Sequence, residues 1–159
     1  MENKCSLKIG LDFHGVIDRN PAYFADFSRF ALAQGCEIHV ITGGPEALVK
    51  QQLQKWNVEY TNVFAILDYY EKLHQVAYTQ NGNFHIKDEL WNNAKAEYCR
   101  RCRINIHIDD SLVYARCFTT PYCRYDKQRH DCQTVSGKVL DFHQSPQVVL
   151  TQIKQLLQF

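Results

Sequence analysis

Apolar residues in this chain gather in short runs that end at turn-forming or acidic positions. Between the runs lie stretches in which they recur every three or four residues. Leu7-Lys8-Ile9-Gly10-Leu11 is such a run; it stops at Asp12, and Gly15 follows within a turn's length. This pattern predicts a buried strand with Asp12 at its C-terminal end. From Pro21 onward, Tyr23, Phe24, Phe27, Phe30 and Ala31 keep helical spacing, with Pro21 suited to a first turn and Gly35 to a stop. Cys36 to Ile41 repeats the strand pattern and ends at Thr42-Gly43-Gly44. It leads through Pro45 into a second amphipathic helix carrying Leu48, Leu53 and Trp56.

Val63 to Leu67 reads as a third strand, and Tyr78 to Ile86 brackets an Asn81-Gly82 pair that favours a tight hairpin. Asp88 is placed to cap a helix running to about Arg101. The alternating stretch Ile104-Asn105-Ile106-His107-Ile108 then predicts a strand that ends at Asp109-Asp110. Beyond it, Cys123-Arg124-Tyr125 reads as a short edge strand, Lys138 to Phe142 as another, and Ser145-Pro146 as the start of a last helix through Leu157. Strands alternating with helices predict an α/β fold with a parallel sheet. The 159 residues suit a single domain, 1–159, with a small hairpin insertion at about 68–87.

Charge narrows the classes of partner. Eighteen basic residues face 17 acidic ones, a net charge of +1, so the chain lacks the one-sided field of a dedicated nucleic-acid or membrane-surface binder. Small molecules and macromolecules, nucleic-acid ends included, stay open as substrates. No run approaches the roughly 20 apolar residues of a membrane span, and the opening has no apolar stretch of signal-peptide length, so a cytoplasmic protein without a membrane partner is expected. Seven cysteines, an odd number, read as reduced thiols. Cys99, Cys102, Cys117, Cys123, His130 and Cys132 offer soft zinc ligands, but their spacing is irregular and buried or free thiols are the preferred reading. Arg100, Arg101, Arg103, Arg124, Lys127 and Arg129 are read as a solvated face rather than as a basic rim around a phosphorylated substrate.

Three predicted strand ends carry the chemistry: Asp12-Phe13-His14-Gly15-Val16, Thr42-Gly43-Gly44 and Asp109-Asp110. Open parallel sheets bind ligands beyond such ends, so the three outline one site. Phosphoryl transfer needs a carboxylate nucleophile, carboxylates for Mg²⁺ and donors for the transferring oxygens, and each role has a candidate here.

The stretches KIGLDFHGVID, HVITGG and INIHIDDS, in this order, resemble the haloacid dehalogenase-like superfamily. Its first motif is hhhhDxDG(T/V), its second a strand-terminal Thr or Ser, and its last a strand-terminal acidic pair. The resemblance runs from about Lys8 to Ser111, and its specificity lies in the ordered combination. It implies a three-layer, Rossmann-like sandwich around a parallel central sheet. The activity it implies is a Mg²⁺-dependent phosphatase in which Asp12 attacks phosphorus to form an aspartyl-phosphate that water then hydrolyses. Thr42, Gly43 and the amides leading into the next helix would bind phosphate oxygens, while Asp12, Asp109 and Asp110 would hold the metal.

One position departs from the pattern. The residue two after the nucleophile is usually Asp, the acid and base of the reaction, and here it is His14. Histidine can do the same work near neutrality, but it removes a negative charge beside the metal. The family's third motif is a lysine, for which Lys87 and Lys95 compete; Lys95 is favoured because it follows Trp91 by one helical turn. Asp12 and Thr42 are too close in sequence for a large cap between them, which leaves the site open or lightly covered. A metal- and phosphate-binding protein without turnover and a phosphotransferase remain the alternatives.

Overall fold

A computed structural model describes residues 6–134 and 137–159; residues 1–5, including the predicted thiol Cys5 and the chain opening, lie outside the described residues. The chain forms β1 (Lys8–Asp12), a 3-10 turn (Ile17–Arg19), α1 (Pro21–Ala33), β2 (Glu37–Thr42), α2 (Glu46–Lys55), β3 (Asn62–Ala65) and α3 (Ile66–Lys72). A hairpin of β4 (Ala77–Tyr78) and β5 (Phe84–His85) follows, then α4 (Asp88–Cys102), β6 (Ile106–Asp109), α5 (Leu112–Ala115), β7 (Tyr122–Asp126), β8 (Asp131–Thr134), β9 (Val139–Asp141) and α6 (Pro146–Leu157). Two helices start where Pro21 and Ser145-Pro146 predict. Ser145 accepts from the Val148 amide ahead of Pro146, and Asn20, not singled out in the sequence, accepts from the Tyr23 amide ahead of Pro21. Asp88 does not cap α4. Lys87 occupies the cap position without a side-chain bond, and Asp88 and Glu89 lie in the first turn, where carboxylates favour the positive end of the helix dipole.

The main sheet has seven strands in the order β3-β2-β1-β6-β7-β8-β9. The five from β3 to β7 are parallel, but β8 and β9 add antiparallel to β7, so the sheet is mixed rather than wholly parallel. Cys123-Arg124-Tyr125 is therefore not an edge: it lies in β7 between β6 and β8, and β9 forms that border. The predicted third strand is also shorter. It stops at Ala65, and Ile66-Leu67 open α3; all four residues from Phe64 to Leu67 are buried, so their apolar run cannot separate a strand from a helix start.

Helices cover both sheet faces. Phe24 and Phe27 of α1, Val49 and Leu53 of α2, and Val149 and Ile153 of α6 pack with Ile9, Leu11, Val40 and Ile108 on one side. Ile66, Leu67 and Tyr70 of α3 pack with Ala94, Tyr98 and Cys99 of α4 on the other. With both faces covered, β1, β2 and β6 are buried along nearly their whole length, and the polar side chains inside them, His39 and His107, are hydrogen-bonded. No helix among the described residues is long and apolar enough to cross a membrane.

The topology positions the site. From β1 the chain winds outward through β2 to β3, and from β6 it winds the other way through β7. The two directions part between β1 and β6, where the connections leave a crevice beyond the strand ends. Register puts Leu11 beside Ile108, so the next residues of the two strands, Asp12 and Asp109, emerge side by side at that crevice.

Candidate active site

Asp12 and Asp109 are both buried, and one cation serves both. Lys95, only 2% exposed, donates from Nζ to Asp12 Oδ1 and to Asp109 Oδ2, each at 2.8 Å. It comes from the buried face of α4, between Ala94 and Ala96, and its ammonium lies 4.8 Å from the centre of the Tyr114 ring. The competing Lys87 is exposed at the start of α4.

Asp109 is the more heavily anchored carboxylate. Its Oδ2 also faces His107 Nε2 at 3.0 Å, and its Oδ1 accepts from the Ser111 amide at 2.9 Å. His107 is itself enclosed: its ring stacks on Phe118 with centroids 5.0 Å apart, and burial holds its pKa below the ordinary value. With a carboxylate at Nε2, the bond calls for the Nε2–H tautomer. Gly10 makes room for this ring, because a β-carbon there would lie 2.7 Å from His107 Nδ1.

Asp110 sits at the mouth of the crevice. Asp12, Asp109 and Asp110 each offer an oxygen within 4.8 Å of the others, and among the described residues they form the one cluster of acidic, His or Cys groups able to hold a metal ion. The loop after β1 approaches Asp110 so closely that a β-carbon at Gly15 would overlap its carboxylate, and Gly15 takes a φ of +92° that favours glycine. Lys127, from the turn between β7 and β8, donates to Asp110 Oδ2 at 3.2 Å, so one residue of the predicted solvated basic face reaches the site.

The charges explain the titration of the cluster. Burial, aided by the negative charges of Asp109 and Asp110, pushes Asp12 up to about 8 against the opposing pull of Lys95. Burial also works against Asp109, but its bonds to His107 and Lys95 hold it well below the usual carboxylate range. Burial disfavours the Lys95 charge, yet Asp12 and Asp109 outweigh it and keep the amine protonated above its ordinary value. Burial and the neighbouring carboxylates thus work against a full set of negative charges in the crevice. Three hard oxygen donors and this shortfall of positive charge suit a divalent cation, whose charge would favour the ionised form of Asp12.

The loop read as the phosphate site runs from Thr42 into α2. Thr42 is fully buried, and its Oγ accepts from the Gly44 amide at 3.3 Å, so Gly43 rather than Thr42 lines the cavity. The amide of Glu46 at the start of α2 is already bonded to Asp68 Oδ2 at 2.8 Å, which places a carboxylate where a phosphate oxygen was expected. His14 does line the cavity, with its side chain 62% exposed and Nδ1 3.7 Å from Asp18 Oδ2. The cavity, about 300 Å³, is bounded by Asp12, His14, Gly43, Lys95, Asp110 and an aromatic side made by Trp91 and Tyr114. No family model, curated protein or solved structure matches the chain.

Asp12, His14, Gly43, Lys95 and Asp110 therefore meet at one cavity, Asp109 is joined to it through Lys95, and Thr42 is buried behind Gly43's lining position with its hydroxyl on the Gly44 amide. Several contributors escaped sequence reasoning. Trp91 as a wall of the cavity is one: its one-turn spacing from Lys95, which favoured that lysine, also puts the indole on the same helix face. Ser111 is legible as a helix cap after the acidic pair, and it accepts from the Tyr114 amide to set the ring of α5 over Lys95. His107 and Asp18 carried no comparable signal, since each acquires its partner only through the fold.

Proposed function

We propose that this chain is a Mg²⁺-dependent phosphohydrolase of the haloacid dehalogenase-like type that cleaves phosphomonoesters through an aspartyl-phosphate on Asp12. The observation that carries the reading is Lys95 bridging Asp12 and Asp109 at 2.8 Å, with Asp110 close by, at the point where the sheet's connections diverge. A nucleophilic carboxylate, a fixed ammonium and a trio of oxygen donors are the parts that phosphoryl transfer requires. Asp12, Asp109 and Asp110 would hold Mg²⁺, which would favour ionised Asp12 and offset negative charge on the phosphoryl oxygens.

The residues then divide the work. An Asp12 carboxylate oxygen attacks phosphorus while the bond from phosphorus to the leaving alcohol breaks, and His14 gives that oxygen a proton. Lys95, on the other oxygen, balances charge as the acyl phosphate forms. In the second half His14 takes a proton from water, the water oxygen attacks phosphorus, and the bond to Asp12 breaks to release orthophosphate. Asp109, clamped by His107, Lys95 and the Ser111 amide, holds its position throughout.

Hydrolysis of an aryl phosphate, with and without Mg²⁺, tests the reading in the native chain and in Asp12→Asn. Turnover that needs Mg²⁺ and vanishes in Asp12→Asn is expected; metal-independent turnover, or turnover that survives the substitution, would overturn it. The exposure of His14 favours a second reading, a metal- and phosphate-binding protein, because Asp18 at 3.7 Å does not clamp the imidazole. Magnesium binding without hydrolysis of any phosphomonoester would select that reading.

A further inference from the structure

The aromatic side of the cavity continues well past the reacting groups. Tyr114 stands beside the Lys95 ammonium, and its hydroxyl accepts from Trp91 Nε1 at 2.7 Å, which fixes the plane of the indole. The far edge of the indole packs against the Gly43 backbone, where an added β-carbon would meet it at 3.1 Å, so the absence of a side chain lets the ring in. Phe84 of β5 then lies against Trp91 with centroids 5.8 Å apart and planes tilted by 34°. Phe84 remains 43% exposed, and Tyr78, at the facing position of β4, 57% exposed.

Trp91 packs in part against the core beneath α3 and α4, whereas Phe84 and Tyr78 are exposed and belong to neither core cluster. The hairpin is separate from the main sheet, its strands are two residues each, and both are exposed. An isolated two-stranded hairpin has marginal stability in water, so it relies on contacts with the body of the protein: Phe84 lies against Trp91 at the rim of the cavity, Tyr78 donates to Glu71 of α3, and Ile86, just after β5, is buried. The result is a run of ring surface, Tyr114 to Trp91 to Phe84, that starts at the phosphate-facing ammonium and ends at solvent. Trp91 and Tyr114 are positioned before any ligand arrives, which lowers the ordering cost of using them.

We infer that this run is a stacking platform for the leaving group, and that the preferred substrate is a phosphomonoester bearing a planar base one sugar away from the phosphate, as in a nucleoside monophosphate. The inference rests on the phosphohydrolase reading for the position of the phosphate and deepens it by naming the substrate class. A ring attached directly to phosphate would meet Tyr114 and Trp91 at the inner end of the run and leave Phe84 unused. A base held off by a sugar reaches Phe84 and Trp91 with the phosphate still at Lys95. Aromatic stacking is tolerant of base identity, so the platform selects for a planar ring rather than for a particular base.

The experiment compares adenosine monophosphate, phosphotyrosine and glycerol phosphate as substrates in Mg²⁺ for the native chain, Phe84→Ala and Phe84→Tyr. The ratio of kcat/KM for adenosine monophosphate to that for glycerol phosphate is expected to exceed one in the native chain and to fall about tenfold in Phe84→Ala. It is expected to recover in Phe84→Tyr. Because a ratio is read, partial loss of folded protein does not mimic the result. Calorimetric titration of Asp12→Asn with adenosine monophosphate and ribose 5-phosphate, with and without Phe84→Ala, gives the same comparison without turnover. If no substrate is hydrolysed but binding depends on both the base and Phe84, the platform stands and the hydrolase reading falls. If hydrolysis proceeds with the same ratio in the native chain and Phe84→Ala, or Phe84 matters only for phosphotyrosine, the platform is overturned while the hydrolase reading stands.

Discussion

The buried floor of the crevice and its exposed rim hold their charges by different means. On the floor, Asp12, Lys95 and Asp109 are fixed by bonds of 2.8 Å inside the core, and His107 and the Ser111 amide complete the clamp on Asp109. At the rim, His14 rests near Asp18 without a close bond, and Asp110 meets Lys127 across a solvent-facing pair. A buried ion pair costs desolvation and holds only with close geometry, whereas an exposed pair is weak but free to rearrange. On the proposed phosphohydrolase reading, this division would keep Asp12 in place while His14 and Asp110 exchange partners.

Three substitutions separate floor from rim, and a fourth, far from both, sets the scale of a partly exposed pair. The largest effect is expected for Lys95→Met, which leaves Asp109 and Asp12 facing each other without a cation. Loss of one partner from a buried pair costs about 3–5 kcal/mol, to be read by urea denaturation. Unchanged stability would show that the floor is not held by this contact. The second, His14→Ala, is expected to lower kcat about 10²–10⁴-fold while stability stays within about 0.5 kcal/mol. A matching loss of stability would place His14 with the floor instead.

The third concerns pH in chelator-treated protein. The native Asp12 carboxyl, pushed up from 3.8 to about 8, binds its proton more tightly in the folded chain than in the unfolded one. Its contribution to stability is therefore fully present below pH 3.8 and is lost as pH rises through about 8. Asp12→Asn is expected to flatten that decline, and thermal melts across this range check it; an unchanged pH slope would mean that Asp12 titrates normally. Saturating Mg²⁺ is expected to raise the melting temperature of the native chain more than that of the variant, because a ligand that binds only the folded state stabilises it.

The smallest effect belongs to Glu37 at the opposite end of the sheet. Its bond to His39 Nε2 at 3.0 Å and the nearby Lys8 hold its carboxyl below the usual range, against partial burial. That contribution is present above pH 4.5, the ordinary value, and lost as pH falls through the depressed native one. Glu37→Gln is expected to cost no more than about 0.5–1 kcal/mol above pH 5 and almost nothing in strong acid. A pH-independent loss would assign the effect to packing.

Much of this architecture was legible along the chain, for identifiable reasons. Apolar runs ending at Asp12, Thr42 and Asp109 expose parallel strands because burial on both faces leaves little room for polar residues. Pro21 and Ser145-Pro146 mark helix starts because first-turn and capping chemistry is local. β8 stayed hidden because Asp131-Cys132-Gln133-Thr134 buries little besides Cys132 and follows a polar turn, so its pairing with β7 and β9 leaves hardly any trace in composition.

By itself, the sequence determined which acidic residues end strands and which helix carries Lys95, since periodicity and turn chemistry act within a few residues. Only the tertiary structure decided that Lys95 rather than Lys87 reaches Asp12, that the Thr42 hydroxyl takes the Gly44 amide while Asp68 takes the start of α2, and that Phe84 comes to lie against Trp91 of the cavity wall. These outcomes join residues far apart in the chain. They depend on how α4 lies across the sheet and how the β4–β5 hairpin folds back on it, and such packing is set by the summed burial of many side chains rather than by any local pattern.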